Sequence, residues 1–265
     1  MDNAKTTILL DKLDDFIMRF SKINKNICKG INSSNESEKT LIEYTDFILD
    51  AENRVIWEEC IDLECSENKQ RIINAQRESA HCVWTMEKYR AMNLISSGDS
   101  PADYFKNVEE CIEDEFGGFL IDNNSRVLLI GVGAFPMTPL LIAKKTGAKV
   151  VGIDIDTEAI EYANKVINLL GQDLNIEVST QRYDCLEFTK EATHIILAST
   201  IPEKFDILCD LYTITNKDVV VSMRYGNGFK SLFNYPLLDV PGEMWKKVES
   251  TSSEDNVFDI ALYAK

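Results

Sequence analysis

The chain has 265 residues, of which 45% are hydrophobic, and this length suffices for one large domain or two modest ones. Its 44 acidic and 28 basic residues give a formal net charge of −16, which repels nucleic acid and anionic lipid. The 7 cysteines include no Cys-x-x-Cys pair, which disfavours a disulfide framework and a zinc site. No apolar run approaches the roughly 20 residues that cross a bilayer, and acidic residues interrupt the segment where a signal peptide would be apolar. We therefore expect a cytoplasmic protein that binds neither nucleic acid nor membranes and holds no metal.

The first part of the chain has the three- and four-residue apolar spacing of helices. Five helices are predicted there, at about 6–28, 38–53, 55–65, 69–97 and 102–116. Further along, short apolar runs alternate with helical stretches, which predicts a parallel sheet covered by helices on both faces. The chain is therefore expected to be an α/β protein, with an all-helical domain over 1–118 followed by a Rossmann-like domain over 119–265.

Five parallel strands are predicted in the second domain, at 126–133, 148–156, 176–184, 193–199 and 218–224. The helices between them are predicted at 136–147, 157–171 and 202–215. The last ten residues, NVFDIALYAK, alternate more strictly and predict a final strand, parallel or antiparallel.

The sharpest local signal is the turn between the first strand and its helix. Gly131 and Gly133 allow the backbone to approach a ligand closely at a helix N-terminus. Asp154 ends the next strand, where a carboxylate can bind both ribose hydroxyls. This order predicts adenosine binding, although both glycines could simply permit a tight turn.

The ligand expected at this turn is S-adenosylmethionine rather than NAD. Pro136 replaces the third glycine of a dinucleotide fingerprint, and no second mononucleotide-binding half follows. Asp184, after the third strand, is expected near the adenine amino group. Leu129 and Phe135 depart from the ordinary methyltransferase signature, so the site is a variant.

Glu87 is the candidate general base. It lies in an apolar helical stripe, and burial there should raise the pKa of its carboxyl toward a value useful for proton transfer. The other residues of this stripe are Ala80, Val83, Trp84, Ala91, Leu94 and Ile95. A structural acid paired with an arginine or a backbone N–H is the alternative. Lys88 and Arg90 lie off the stripe and are expected on a solvated face.

Further candidates lie at the start of a helix and at two strand ends. Tyr104 and Phe105 could supply an aromatic wall near a sulfonium or pack the helix onto the sheet. Arg224 and Tyr225 follow the fifth strand, where an arginine fork suits a substrate carboxylate, with a surface salt bridge as the alternative. Ser199 follows the fourth strand at the same edge and is expected to contact the cofactor.

The motif formed by Gly131, Gly133, Pro136 and Thr138 resembles that of the nicotianamine synthases. The stretches MEKYRAMNLI, YFKNVEECIEDEFG, LIGVGAFPMT and SMRYGNGFKSLFNYP are similar to the bacterial relatives that make staphylopine-type opine metallophores. The resemblance implies a class I S-adenosylmethionine-binding fold and transfer of the 2-aminobutanoyl group to the α-amino group of histidine. It also implies release of 5′-methylthioadenosine.

For this chain we expect D-histidine to be favoured as the acceptor. The resemblance implies that the product passes to an opine dehydrogenase, and a homodimer is compatible with it. Tyr104 is the catalytic tyrosine candidate. The nicotianamine synthases have a further tyrosine four residues beyond the one that matches Tyr104, and it corresponds to Val108 here, so their catalytic tyrosine is not carried over directly.

Two other functions remain open at the level of sequence. One is a small-molecule methyltransferase that uses S-adenosylmethionine, which the departures at Leu129, Phe135 and Pro136 disfavour. The other is a catalytically inactive S-adenosylmethionine-binding module whose acidic helices bind a partner. A carboxylate within an apolar stripe counts against this function, because burying it has a free-energy cost.

Overall fold

The computed structural model describes residues 3–28, 34–97, 115, 117, 119–240 and 243–265. The chain forms two compact units. The first unit comprises Met1–Met86, Tyr225–Leu237 and Ser253–Phe258, and the second comprises Glu87–Arg224, Leu238–Ser252 and Asp259–Lys265.

The N-terminal part of the chain contains four described helices. They are α1 (Asn3–Cys28), α2 (Ser34–Leu49), α3 (Ala51–Cys60) and α4 (Ser66–Ser97). The first four predicted helices are thus confirmed to within a few residues, while the helix predicted at 102–116 lies almost entirely outside the described residues. α3 begins where it does because the carboxylate of Asp50 accepts a hydrogen bond from the backbone N–H of Asn53.

The first unit has an aromatic core. Tyr44 lies at its centre, with ring centroids of Phe16 and Phe20 each 5.1 Å away. Its hydroxyl donates a hydrogen bond of 2.9 Å to the carbonyl oxygen of Leu232, which follows from the need to pair a buried O–H. A 3₁₀ helix (Gly228–Leu232) completes this unit, and its Phe229 ring packs 5.4 Å from that of Trp57.

The second unit is built on a seven-stranded sheet with the order β3-β2-β1-β4-β5-β7-β6. The strands are β1 (Arg126–Ile130), β2 (Lys149–Ile153), β3 (Ile176–Ser179), β4 (His194–Leu197), β5 (Val220–Tyr225), β6 (Lys246–Thr251) and β7 (Asp259–Ala264). β1 pairs in parallel with both β2 and β4, so the strand order reverses there. At such a reversal the loops after neighbouring strands diverge and leave a crevice at their carboxyl ends.

Four described helices accompany these strands: α5 (Met137–Thr146), α6 (Thr157–Leu170), α7 (Glu187–Glu191) and α8 (Lys204–Ile214). The five predicted parallel strands and their three helices are confirmed, with shorter strands than expected. The predicted last strand is β7, and it pairs antiparallel with β6. The sequence did not reveal β6, because its residues KKVEST are mostly exposed and polar.

The α/β class and the Rossmann-like sheet are confirmed. The compact units, however, assign the end of α4 to the sheet-containing unit. Ala91 and Leu94 of this helix pack in one apolar cluster with Phe135, Leu140 and Val166. The predicted domain division between residues 118 and 119 remains a prediction. No helix among the described residues has the length and apolar character required to cross a membrane.

Candidate active site

The turn after β1 requires glycine at two positions. Gly131 and Gly133 have φ values of +86° and +68°, a conformation that L side chains rarely adopt. A Cβ on Gly131 would lie 3.0 Å from both Ala198 Cβ and Ile201 Cδ1. The residues after β4 therefore pack directly beneath this turn.

Asp154 lies against the same turn from the end of β2. Its Oδ2 accepts a 2.9 Å hydrogen bond from the N–H of Gly133, and its Oδ1 accepts one of 3.0 Å from the N–H of Asp156. Both carboxylate oxygens are thereby fixed in direction while each keeps a free lone pair. The predicted ribose contact of Asp154 remains a prediction.

Ile155 directly follows Asp154 and is 95% exposed. Ile155 falls within the second predicted strand, at 148–156, and was therefore not among the candidate site residues. Its side chain offers an apolar surface beside the Asp154 carboxylate, which suits a flat base next to a sugar.

Glu87 also contacts the glycine turn. Its Oε2 accepts a hydrogen bond of 3.3 Å from the N–H of Ala134, and a Cβ on Gly133 would overlap this oxygen. Glu87 and Asp154 thus bind two successive backbone amides. The alternative role for Glu87 was that of a structural acid paired with an arginine or a backbone N–H. The hydrogen bond from Ala134 fits this alternative, and the same position is compatible with a general base.

The environment of Glu87 favours its neutral form. Burial raises the pKa of the Glu87 carboxyl to about 8, and the negative charge of Asp154 acts in the same direction. The hydrogen bond from Ala134 and the charge of Arg90 oppose this rise. A carboxyl with a pKa near neutrality can exchange a proton during a reaction.

The expectation of a solvated face for Lys88 and Arg90 is wrong. Lys88 is 7% exposed and Arg90 is 4% exposed, whereas Trp84 and Ile95 of the predicted apolar stripe are each 38% exposed. The buried face of α4 thus includes both cations, and for Lys88 two ion pairs compensate for the desolvation, as shown below.

Arg224 forms a buried ion pair rather than a surface salt bridge. Its Nε and Nη2 donate to the two carboxylate oxygens of Glu115 at 2.8 and 2.6 Å. Ser222 Oγ donates to the same carboxylate at 2.8 Å, and Nη1 of Arg224 lies 3.5 Å from Thr138 Oγ1. Glu115 thus occupies the Nε–Nη2 edge of the guanidinium, and the predicted substrate clamp at Arg224 remains a prediction.

Lys204 was missed by the sequence analysis. It is fully buried at the start of α8, and its Nζ donates hydrogen bonds of 2.7 Å to the carbonyl oxygens of Ser199 and Arg224. Burial lowers the pKa of this amine to about 7. A single side chain therefore joins the residues after β4 to the end of β5. No periodicity distinguishes this lysine from an ordinary solvated one.

The remaining predicted site residues are more dispersed. Asp184 is exposed and pairs with Arg182 at 2.9 Å, and this ion pair lowers the pKa of the Asp184 carboxyl. Pro136 directly precedes α5, and Tyr225 is buried at the end of β5 and belongs to the first unit. Tyr104 and Phe105 lie outside the described residues.

Among the residues that are described, no three His, Cys, Asp or Glu side chains are grouped to hold a metal.

Comparisons with known proteins agree with this arrangement. The chain is 31% identical over 161 residues to the L-histidine 2-aminobutanoyltransferase of Pseudomonas aeruginosa (strain UCBPP-PA14), and the match covers 61% of each protein. It is 34% identical over 152 residues to the enzyme of the same name from Yersinia pestis, covering 57% of this chain and 56% of that one. The chain thus matches less than two thirds of the length of these curated relatives.

The solved structures of MtNAS have the same fold. The complex of MtNAS with MTA and tNA has a TM-score of 0.75 at 19% identity and covers 97% of both chains. The complex of a Glu-to-Gln mutant of MtNAS with S-adenosylmethionine has a TM-score of 0.72 at 18% identity, covering 94% of this chain and 98% of that one. The family described as "Nicotianamine synthase protein" matches residues 65–262, which include the glycine turn, Glu87 and Asp154. With three quarters of its length matched, the chain belongs to the nicotianamine synthase family.

Proposed function

We propose that this protein transfers the 2-aminobutanoyl group of S-adenosylmethionine to the α-amino group of histidine and releases 5′-methylthioadenosine. One observation carries the proposal: Glu87 and Asp154 accept hydrogen bonds from the successive amides of Ala134 and Gly133. This places a carboxyl suited to proton transfer beside a carboxylate suited to a ribose. The names of the curated relatives from Pseudomonas aeruginosa and Yersinia pestis support the same reaction.

The adenosine part of S-adenosylmethionine would bind at the carboxyl ends of β1 and β2. Asp154 would accept hydrogen bonds from the ribose hydroxyls with its remaining lone pairs, and Ile155 would contact the adenine. The turn at Gly131 and Gly133 has no side chain to block this approach. The other proposed cofactor contacts are Pro136, Thr138, Asp184 and Ser199.

The reaction is a displacement at the γ-carbon of the methionine moiety. A bond forms between this carbon and the acceptor nitrogen, the carbon–sulfur bond breaks, and its electron pair neutralises the sulfonium. The amine proton passes to Glu87, directly or through one water. The pKa of Glu87, about 8 in the free protein, would fall when the positive sulfonium binds nearby, so its carboxylate form would be favoured at the moment it is needed.

Other residues enter the proposal with less direct roles. Tyr104 and Phe105 are proposed to line the sulfonium and the acceptor. Tyr104 is also the second candidate for proton transfer, after Glu87, and Tyr225 would contact substrate. Arg224 would bind the carboxylate of a substrate, and its ion pair with Glu115 also fixes the end of β5. The product keeps a free α-amino group, which an opine dehydrogenase could condense with a 2-oxo acid. A homodimer remains part of the proposal.

The configuration of the acceptor is a separate point. The sequence resemblance led us to expect D-histidine, whereas the curated relatives are named for L-histidine. L-histidine is therefore the acceptor that we propose first.

The test is an incubation of the purified chain with S-adenosylmethionine and a panel of L- and D-amino acids, followed by mass spectrometry. We expect 5′-methylthioadenosine together with histidine that carries one added 2-aminobutanoyl group. S-adenosylhomocysteine with a methylated acceptor would instead establish the methyltransferase alternative. Binding of S-adenosylmethionine without turnover of any acceptor would favour the inactive module.

A further inference from the structure

Lys88 of helix α4 makes two short ion pairs. Its Nζ lies 2.8 Å from Asp156 Oδ2 and 2.7 Å from Glu158 Oε2. The lysine side chain is only 9% exposed, whereas those of Asp156 and Glu158 are 24% and 60% exposed. An ammonium with this degree of burial is compensated by two anions at once, unlike most surface pairs.

The partners of Lys88 control the loop after β2. Asp156 is the N-cap of α6, and its carboxylate accepts a hydrogen bond from the N–H of Glu158. The N–H of Asp156 in turn donates to Oδ1 of Asp154. An unbroken series of contacts therefore leads from Lys88 through Asp156 to the carboxylate that faces the glycine turn.

Lys88 is also the immediate neighbour of Glu87. The two residues reach different parts of the same site: Glu87 contacts the amide of Ala134, and Lys88 contacts Asp156 and Glu158. Helix α4 thus fixes both the glycine turn and the loop that carries Asp154 through two successive side chains. All these residues belong to the second compact unit.

We propose that Lys88 is a positioning residue for the binding of S-adenosylmethionine. Lys88 holds the Asp154–Asp156 loop in a fixed position relative to the glycine turn and so orients Asp154 toward the ribose. The inference rests on the proposed function. Lys88 does not need to touch the substrate. It acts through Asp156, and its loss allows the loop to move without altering the base at Glu87.

The test compares Lys88→Met with a matched control in the full-length chain. Lys69 lies on the same helix and pairs with Glu64 at 2.7 Å, but its side chain is 51% exposed, so Lys69→Met removes an equally short ion pair in a solvated position. Calorimetry with S-adenosylmethionine and steady-state kinetics are measured for both variants. Amide hydrogen exchange of residues 131–134 and 154–158 reports on the loop without any ligand.

We expect Lys88→Met to raise the Kd and the KM for S-adenosylmethionine roughly 5- to 50-fold, since a charge-assisted contact is lost, while kcat at saturation changes less than about 3-fold. Lys88→Arg should recover most of the affinity, and Lys69→Met should match the wild type. Hydrogen exchange in 154–158 should accelerate in Lys88→Met only. A merely structural lysine would lower the melting temperature without this split between KM and kcat.

The proposal is overturned if Lys88→Met binds S-adenosylmethionine with wild-type affinity and shows wild-type exchange. Should that variant not fold, Asp156→Asn replaces it, because asparagine retains the helix cap while losing the ion pair. A wild-type chain that does not bind S-adenosylmethionine would refute the proposed function instead. In that case the exchange measurement alone decides whether Lys88 holds the loop.

Discussion

The two compact units differ in the core residues that they bury and in where they bury charged side chains. In the first unit the core is aromatic, and the buried hydroxyl of Tyr44 donates a neutral hydrogen bond to the carbonyl oxygen of Leu232. This unit also buries the charged side chain of Lys230, which donates to the carbonyl oxygen of Ser253. In the second unit, charged side chains are buried next to the ends of the strands. They include Lys88, Glu115, Lys204 and Arg224, and Glu87 is half-buried against the glycine turn.

Burial of aromatic surface and burial of charged groups have different effects on the stability of the fold. Removing aromatic surface from water stabilises a fold without further requirements. A buried charge costs free energy even when paired, and an apolar replacement of similar volume is often at least as stable. The buried charges of the second unit contact the glycine turn or join the carboxyl ends of strands, which is where open α/β sheets bind ligands.

Glu87→Gln tests the proposed general base, which has the largest expected effect on catalysis. Glutamine preserves the shape and can still accept the hydrogen bond from Ala134, but it has no basicity. We expect kcat to fall by roughly 10²–10⁴ while the Kd for S-adenosylmethionine changes little. Glu67→Gln, an 80% exposed glutamate of the same helix, is the control. A folded Glu87→Gln enzyme with near wild-type kcat would make Tyr104 the next candidate for the base.

Asp154→Ala tests the ribose contact. Loss of charge-assisted hydrogen bonds worth about 1.5–3 kcal/mol should weaken binding of S-adenosylmethionine by roughly 10- to 150-fold in calorimetry. Asp184→Ala is the matched comparison, because Asp184 is exposed and already paired with Arg182, and we expect a smaller loss there. Equal affinities of Asp154→Ala and the wild type would show that adenosine does not bind at the carboxyl ends of β1 and β2.

Arg224→Lys distinguishes the charge of the buried ion pair from its geometry. Lysine retains the positive charge but cannot donate to both oxygens of Glu115 in parallel. We expect the free energy of unfolding to fall by roughly 1–3 kcal/mol and the KM of at least one substrate to rise. Wild-type values in both thermal unfolding and kinetics would show that the paired hydrogen bonds of the Arg224 guanidinium have no role.

Tyr44→Phe tests the aromatic core of the first unit. It removes a hydroxyl from the aromatic core and leaves the carbonyl of Leu232 without its donor. Denaturant unfolding should show a loss of about 1–3 kcal/mol, whereas kcat and KM of the remaining folded enzyme should match the wild type. A selective change in KM would contradict the division between a stabilising core and a functional edge.

The last of these predictions concerns the pH dependence of stability at Glu87. Between pH 4.5 and about 8 the folded chain retains a proton on Glu87 that the unfolded chain has lost, so this group's contribution to stability falls as pH rises. Glu87→Gln carries no such proton. The melting temperature of the variant, relative to the wild type, should therefore increase by a few degrees from pH 5 to pH 8. A constant difference would indicate an ordinary carboxyl pKa.

Much of this arrangement could be predicted from the sequence, because it follows from local patterns. Gly131, Gly133 and Asp154 occur at fixed places in a strand–turn–helix–strand order, and Glu87 interrupts an apolar stripe. The roles of Lys88 and Lys204 could not be predicted in this way. Each depends on partners distant in the chain, and helical periodicity assigns a lysine to solvent by default.

The function is tested most directly by following the methyl group of the substrate. S-adenosylmethionine that carries an isotope label only in its methyl group is incubated with the enzyme and L-histidine, and both products are analysed by mass spectrometry. Aminobutanoyl transfer predicts that all label remains in the released 5′-methylthioadenosine and that the modified histidine is unlabelled. Label on histidine, together with S-adenosylhomocysteine, would contradict it.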